Sequence, residues 1–420
     1  MVRVIVVGGG LSGCAAALAA RKAGAEVILL ERTNMLAGAA LRAGDTGANG
    51  CFVGEHELRF LGGGEIFDTL VSIKLHEKVV LEDAASHRYI YNTALIEPTI
   101  RRVLEKAGVK LLMESRVTDV VKEKDRIIAV KVGDSRIEEG EAFVDCTGTM
   151  GGIPICNKYG KGCVLCLARC TTYGNRVGIV EKAGGKAFHR RSPDGTPGQP
   201  ISSVCLFKET LSPELKAKVE KEGTVEIPIP KKVITDAIFN TYFIKSTKNI
   251  ILVDIGLVAK CYGLIYMELD KLRQVPGFAN AQTENPRSGK WNSIRGIGVA
   301  ERDISFRVNG LANLFCAGEK SGQASVNIAI ITGYLAGHNA TRNAFGKEPL
   351  MLPRSLALGD FMAFVAEKFQ TEEGRQMAYH LGGGGYWIRM QKMGLYTDDL
   401  KVIKRRVEEA GLADVLAHRV

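Results

Sequence analysis

No apolar run in these 420 residues approaches the length of a membrane-spanning helix, which argues against a helical membrane protein. The opening stretch VRVIVVGGG comes nearest, but it is short and leads directly into glycines. It reads as a buried strand, neither a signal peptide nor an anchor, and the expected location is the cytoplasm. The sequence also lacks a Walker phosphate loop, an HExxH zinc-protease helix and a GxSxG nucleophile elbow, so ATPases, zincins and serine hydrolases are set aside. There is no long internal repeat. A second complete GxGxxG is missing too, so a dedicated NAD(P)H-binding domain is not evident. Ten cysteines occur without a secretory signal, which excludes a disulfide scaffold and leaves reduced thiols.

What is present is an ordinary globular composition, with 46% hydrophobic and 24% charged residues. The length suits two or three lobes of roughly 100–200 residues each. A formal charge of +10 favours phosphates, nucleic acid or other anions as partners without selecting among them.

Val2 to Val7 predicts a strand, Gly8 to Gly13 a tight turn, Cys14 to Ala23 an alanine-rich helix and Glu26 to Leu30 a second strand, which together make a βαβ unit. A helix over Glu97 to Ala107, strands at Lys110 to Met113, Arg126 to Val132 and Ala142 to Asp145, and the turn Cys146-Thr147-Gly148 follow. From about Gly151, glycines, cysteines and turn residues mark an inserted second lobe. Arg307 to Gly318 then reads as turn, buried strand and glycine stop, and Ser325 to Phe345 as a long helix. The expected fold is α/β, with a Rossmann-like nucleotide-binding domain over 1–150 and 294–365, an inserted α+β domain over 151–293, and a short helical C-terminal segment over 366–420.

Gly8-x-Gly10-x-x-Gly13 directly follows a strand and opens a helix, the setting in which the first glycine permits the turn, the second admits a pyrophosphate and the third lets helix and strand approach. Leu11 and Ser12 complete the loop, and the helix N-terminus faces phosphate. Glu31 ends the second strand, where a carboxylate accepts hydrogen bonds from ribose hydroxyls; Arg32 beside it faces the adenine side or solvent.

Three separated segments resemble the two-dinucleotide-binding flavoprotein superfamily of glutathione-reductase type. Beyond the glycine loop, Asp145-Cys146-Thr147-Gly148 is similar to its strand-ending "ATG" signature and Cys316-Ala317-Gly318-Glu319 to its "AGD" or "AGQ" signature. The segments NGLANLFCAGEKSG, YLAGHNATRNAFGKEPL and LPRSLALGDFMAF follow one another in an order similar to the GidA and folate/FAD-dependent tRNA uracil-methyltransferase families. That resemblance implies bound FAD, with Gly318 and Glu319 near the ribityl and pyrophosphate end and Thr147 and Gly148 among the cofactor-binding residues. It also implies that the amides of Ser325, Val326 and Asn327 lie near the flavin pyrimidine edge and that Val117 packs against adenine or serves as a core valine. The methyltransferases carry a cysteine ahead of an "SNSLRA" segment, whereas this chain has Ala37 to Ala43 in the comparable place.

Cys156, Cys163, Cys166 and Cys170 form a C-x6-C-x2-C-x3-C cluster interspersed with Lys158, Lys161 and Arg169. Four thiolates this close suit a [4Fe–4S] cluster or, alternatively, tetrahedral zinc, and spacing does not choose between them. Asp45, Thr46, Asn49, Cys51 and His56, and the polar-aromatic set His76, His87, Arg88, Tyr89 and Tyr91, are further candidates for substrate contact or packing. Cys14, Cys205, Cys261 and Cys316 read as core residues.

Three functions follow as expectations. The first is an FAD oxidoreductase coupled to an Fe–S cluster, acting on a small-molecule substrate or exchanging electrons with a protein donor. The second is a folate/FAD-dependent or GidA-like enzyme modifying RNA uridines, with RNA as partner. The third is a flavin-binding subunit without turnover. The oligomeric state and the catalytic residues are left open by the sequence.

Overall fold

The computed structural model describes residues 2–46, 49–81, 84–148, 178–189, 199–200, 203–233, 249–262, 269–282, 294–295, 298–323, 325–376, 379–382 and 384–420. Its centre is a five-stranded parallel sheet of β1 (Arg3–Val7), β2 (Glu26–Leu30), β3 (Lys110–Leu112), β4 (Ala142–Asp145) and β5 (Leu314–Cys316), in the order β5-β4-β1-β2-β3. The order runs outward from β1 in one direction to β3 and in the other to β5. The chain therefore changes direction between β1 and β4, and a crevice opens there at the carboxyl ends of the strands.

Because side chains alternate across a strand, the continuous apolar runs feed two cores. Val4, Val6, Val27, Leu29, Ala142, Val144 and Phe315 face one, with the helices α1 (Leu11–Lys22) and α2 (Val326–Ala344). Ile5, Val7, Ile28, Leu30, Phe143, Leu314 and Cys316 face the other, covered by the antiparallel meander Val117–Glu123, Arg126–Val132 and Arg136–Glu139. Asn313 pins the meander to the sheet: its amide donates to the carbonyls of Ile127 and Glu141 at 2.8 and 2.9 Å, and its oxygen accepts from the Ile127 amide.

The alanines of α1 let α2 lie against it at a separation that larger residues forbid. A Cβ on Gly337 would stand 2.1 Å from the Ala16 carbonyl oxygen, and one on Gly333 2.3 Å from that of Ser12. Helix bounds agree with the sequence reading to within a few residues, and Ser325 sits outside α2 as its cap, accepting from the Ile328 amide at 3.2 Å.

The second lobe is an antiparallel sheet in the order Ser203–Phe207, Val258–Tyr262, Asn249–Asp254, Thr224–Pro228. It is backed by the helix Pro213–Glu222, which is capped by Ser212 and starts with proline. Its apolar core, including Leu206, Val219, Val225, Leu252 and Phe278, is separate from the two above. The hairpin Lys74–Leu81 and Ala84–Tyr91 reaches it from the first lobe, where His76 Nε2 meets Asp254 Oδ2 at 2.8 Å and Lys208 Nζ takes the other carboxylate oxygen at 2.9 Å.

The C-terminal helices do not stand apart. Leu381, Tyr386, Met390, Ile403, Val407 and Leu416 share one core with α1 and α2. Glu57, on the helix Asn49–Phe60, seals the start of the helix Ala357–Lys368, its two carboxylate oxygens accepting from the Ala357 and Leu358 amides at 2.8 Å each. Leu356, at the cap position of that helix, supplies no side-chain acceptor, so the carboxylate replaces a local cap. Burial nonetheless pushes the Glu57 carboxyl up from 4.5 to about 7 against the pull of those amides.

This raised value fixes the sign of a pH effect. The native state favours protonated Glu57 relative to the unfolded chain, so its contribution is full below pH 4.5 and disappears as pH rises through about 7. At 1.36 kcal/mol per pK unit the change is roughly 3 kcal/mol. Urea titrations from pH 4.5 to 7.5 should show wild type losing stability relative to Glu57→Gln by an amount of that order; parallel pH profiles would contradict the assignment.

Candidate functional site

The sequence-predicted glycine loop lies at the crevice between β1 and β4. Gly8 has φ +102°, and a Cβ there would stand 2.5 Å from the Cys146 carbonyl oxygen, so both conformation and space require glycine. Gly13 is held as tightly, its hypothetical Cβ 1.8 Å from the Gly8 oxygen. Gly10 differs: no described residue comes within 4 Å of where its Cβ would stand. It precedes Leu11 and Ser12 at the start of α1 and offers no side-chain cap to the first-turn amides. The loop thus joins tight internal packing to one open face at a helix N-terminus, the arrangement that receives a phosphate.

Glu31 is buried at the end of β2. One carboxylate oxygen accepts from the Gly9 amide at 2.8 Å; the other accepts from the Thr33 amide and hydroxyl, each at 2.8 Å. These bonds fix the carboxylate beside the glycine turn and leave lone pairs for hydroxyl donors. Arg32 is half-buried; burial lowers its pKa against the pull of Glu31, and the nearby Arg116 lowers it further. Val117 is 5% exposed and packs in the second core, matching the core alternative for that residue.

Asp145, fully buried at the end of β4, organises the opposite wall. One oxygen accepts from the Thr147 amide at 3.0 Å and hydroxyl at 2.7 Å, and the other from the Val180 amide at 3.1 Å. Its carbonyl accepts from the Ala317 amide at 3.1 Å. Thr147, Gly148 and the loop after β5 are held together through this residue. The sequence named the tetrapeptide without assigning Asp145 a role; the signal was an aspartate two positions before threonine, the pattern of an Asx turn.

After β5, the Gly318 amide donates to Thr332 Oγ1 on α2 at 2.9 Å, and a Cβ on Gly318 would meet Ser12 Oγ at 2.8 Å. Gly318 therefore stands against the glycine-loop helix, with Glu319 next in the chain. Ser325 takes φ 137°, ψ 166°, a backbone region that costs a non-glycine residue of order 1–3 kcal/mol and that recurs at binding sites. Val326 and Asn327 begin α2 just beyond it. Asn327 is 2% exposed, and its side-chain oxygen has no hydrogen-bond partner among the described residues; the same holds for the oxygen of Gln323, which is 1% exposed. Two buried acceptors near the start of α2 thus retain their hydrogen-bonding capacity.

Asn49, Cys51 and His56 lie on the helix Asn49–Phe60 rather than in a loop. Cys51 Sγ is 3.8 Å from His380 Nε2, and His380 Nδ1 accepts from the Gly382 amide at 2.9 Å, which places its proton on Nε2. Burial lowers the His380 pKa to about 4, so the ring is neutral. Cys14, Cys205, Cys261 and Cys316 are buried and form no disulfide. Cys156, Cys163, Cys166 and Cys170 fall outside the described residues; among the described residues no group of three or more His, Cys, Asp or Glu side chains could hold a metal ion. No helix among the described residues is long and apolar enough to cross a membrane.

A family profile described as FAD dependent oxidoreductase matches residues 3–150. The chain is 35% identical over 112 residues to the tRNA uridine 5-carboxymethylaminomethyl modification enzyme MnmG of Clostridium novyi, a match covering 26% of this chain and 17% of that protein. It is 36% identical over 64 residues to the methylenetetrahydrofolate–tRNA-(uracil-5-)-methyltransferase TrmFO of Synechococcus elongatus, covering 15% of this chain and 14% of that one. The matched part is thus under a fifth of either curated relative. The structure of Aquifex aeolicus GidA superposes with a TM-score of 0.67 at 18% identity, over 97% of this chain and 76% of that one. The chain therefore has a GidA-like fold, and its residues 3–150 match the FAD dependent oxidoreductase profile.

Two glycine substitutions separate binding from folding. Gly10→Ala should leave the thermal midpoint near wild type while weakening FAD about tenfold or more, a loss of at least roughly 1.4 kcal/mol read by fluorescence titration. Gly8→Ala should instead lower stability by about 2 kcal/mol or more in urea. Unaltered FAD affinity in Gly10→Ala would remove that residue from the site.

Proposed function

We propose that this GidA-like chain is an FAD-dependent oxidoreductase whose substrate is a uridine in RNA. The observation that carries the cofactor assignment is the open face of Gly10 over uncapped α1 amides, with Glu31 locked beside it and the loops after β4 and β5 opposite. Gly10, Leu11, Ser12 and Gly13 would hold the pyrophosphate and Glu31 the adenosine ribose, with Arg32 flanking the adenine end. Thr147, Gly148, Gly318 and Glu319 would border the ribityl chain. The amides of Ser325, Val326 and Asn327 would donate to the pyrimidine edge of the ring, and the orphaned side-chain oxygens of Asn327 and Gln323 would accept from its N–H groups. FAD, when bound, supplies two-electron chemistry; the protein's part is to bind it, orient it and exclude water.

RNA as the substrate class is supported by the two curated relatives, both named for acting on tRNA, and by the +10 charge of the chain. A second reading, electron transfer between FAD and a [4Fe–4S] cluster, rests on Cys156, Cys163, Cys166 and Cys170 in the sequence; zinc at those cysteines would be structural and would exclude the electron relay. The relay's partner would be a small molecule or a protein donor. Domain limits of 1–150 with 294–365 and of 151–293 are part of the same proposal, with 366–420 a helical C-terminal segment packed into the core of the first.

The test is binding of an unmodified tRNA transcript by the FAD-loaded chain at several salt concentrations. Contacts to six phosphates would give a slope of log K against log salt of about −5 to −6 if the RNA is held as a duplex, and about −4 to −5 if it is held single-stranded. A flavin-loaded protein with flat or absent RNA binding would overturn the RNA assignment. Iron and acid-labile sulfide that disappear in both Cys163→Ala and Cys166→Ala would then carry the second reading.

A further inference from the structure

Lys320 is fully buried, two residues beyond Gly318 in the short turn Gly318–Ser321 at the carboxyl end of β5. Its ammonium pairs with Glu181 Oε1, while Glu181 Oε2 is buried without a hydrogen-bond partner among the described residues. Space for this pair depends on Gly178, where a Cβ would stand 2.1 Å from Glu181 Oε2 and 2.9 Å from Lys320 Nζ. The helix Ile179–Lys182 that carries Glu181 is tied by its Val180 amide to Asp145, so the pair is anchored to the same residue that holds Thr147. Gly318, on the other side, abuts Ser12 of the phosphate-facing helix.

An ion pair between a fully buried lysine and a partly exposed glutamate contributes little to stability, because desolvation, chiefly of the lysine, offsets their attraction. Its position at the crevice gives it a different consequence. We infer that the Lys320–Glu181 pair sets the reduction potential of the flavin, with the Lys320 ammonium favouring the reduced form and Glu181 restraining that preference. This rests on FAD occupying the crevice as proposed above. Two electrons and one proton added to oxidised flavin leave one extra negative charge on the ring. A fixed cation in a site shielded from water stabilises that charge without reorganising.

The two side chains carry opposite charge, so their removal must move the potential in opposite directions. Midpoint potentials of bound FAD, measured by dye equilibration, should fall in Lys320→Met by about 30 mV, equivalent to a tenfold shift in the two-electron equilibrium, and rise in Glu181→Gln. Lys320→Arg should stay near wild type. Shifts of both variants in one direction alongside parallel losses of thermal midpoint, or potentials equal to wild type in both, would overturn the inference and leave a structural pair. Should Lys320→Met fail to fold, the sign of the Glu181→Gln shift decides the matter. A wild-type protein that binds no FAD would instead remove the flavin assignment itself.

Discussion

The crevice exists because several backbones meet where no Cβ can stand. Gly8 lies against the end of β4, Gly13 against Gly8, and Gly333 and Gly337 against α1, all at separations below any real Cβ contact. These positions bring α1, α2, β1 and β4 together as one rigid wedge, and Gly10 alone among the loop glycines is left facing outward. Close packing and an open face are therefore consequences of one geometry. Interiors packed at this density do not deform gradually, so the loop is held ready for a ligand before any arrives.

Around that wedge, polar groups do the connecting. Asp145 joins the loops after β4 and β5 to the helix Ile179–Lys182, and Glu31 joins β2 to the glycine turn. Both carboxylates accept from two backbone amides and a threonine hydroxyl, which is how a buried acid is accommodated without a counter-ion. The backbone strain of Ser325 and the orphaned oxygens of Asn327 and Gln323 lie at the remaining wall. These departures from good geometry stand at the face assigned to the cofactor; others, such as the positive φ of Glu114 and Lys124, lie at turns away from it.

The first lobe was readable in the sequence because its signals are local. Strand, glycines, helix and acid appear within 31 residues, and the apolar runs of β1, β2 and β4 announce a sheet buried on both faces. The middle strand of the meander, Arg126–Val132, and the strand Leu314–Cys316 were legible for the same reason, whereas the two flanking strands of the meander, short and half polar, were not. What escaped depends on distant partners. Nothing near Glu57 in the sequence says that it caps a helix three hundred residues later, nor that Leu381, Ile403 and Leu416 return to the core of α1. His76 and Asp254 meet only because the hairpin leaves the first lobe and touches the second. The burial of Lys320 cannot be inferred from one lysine among small residues.

The central claim is that the crevice between β1 and β4 holds FAD. It is tested most directly by purifying the protein without added flavin, recording its visible spectrum, and identifying by mass the nucleotide released on denaturation. Flavin bands with FAD as the released species, at close to one per chain or restored to that ratio by added FAD, are the expected result. A colourless protein that cannot be loaded with FAD, or one that releases a different nucleotide, would contradict the account.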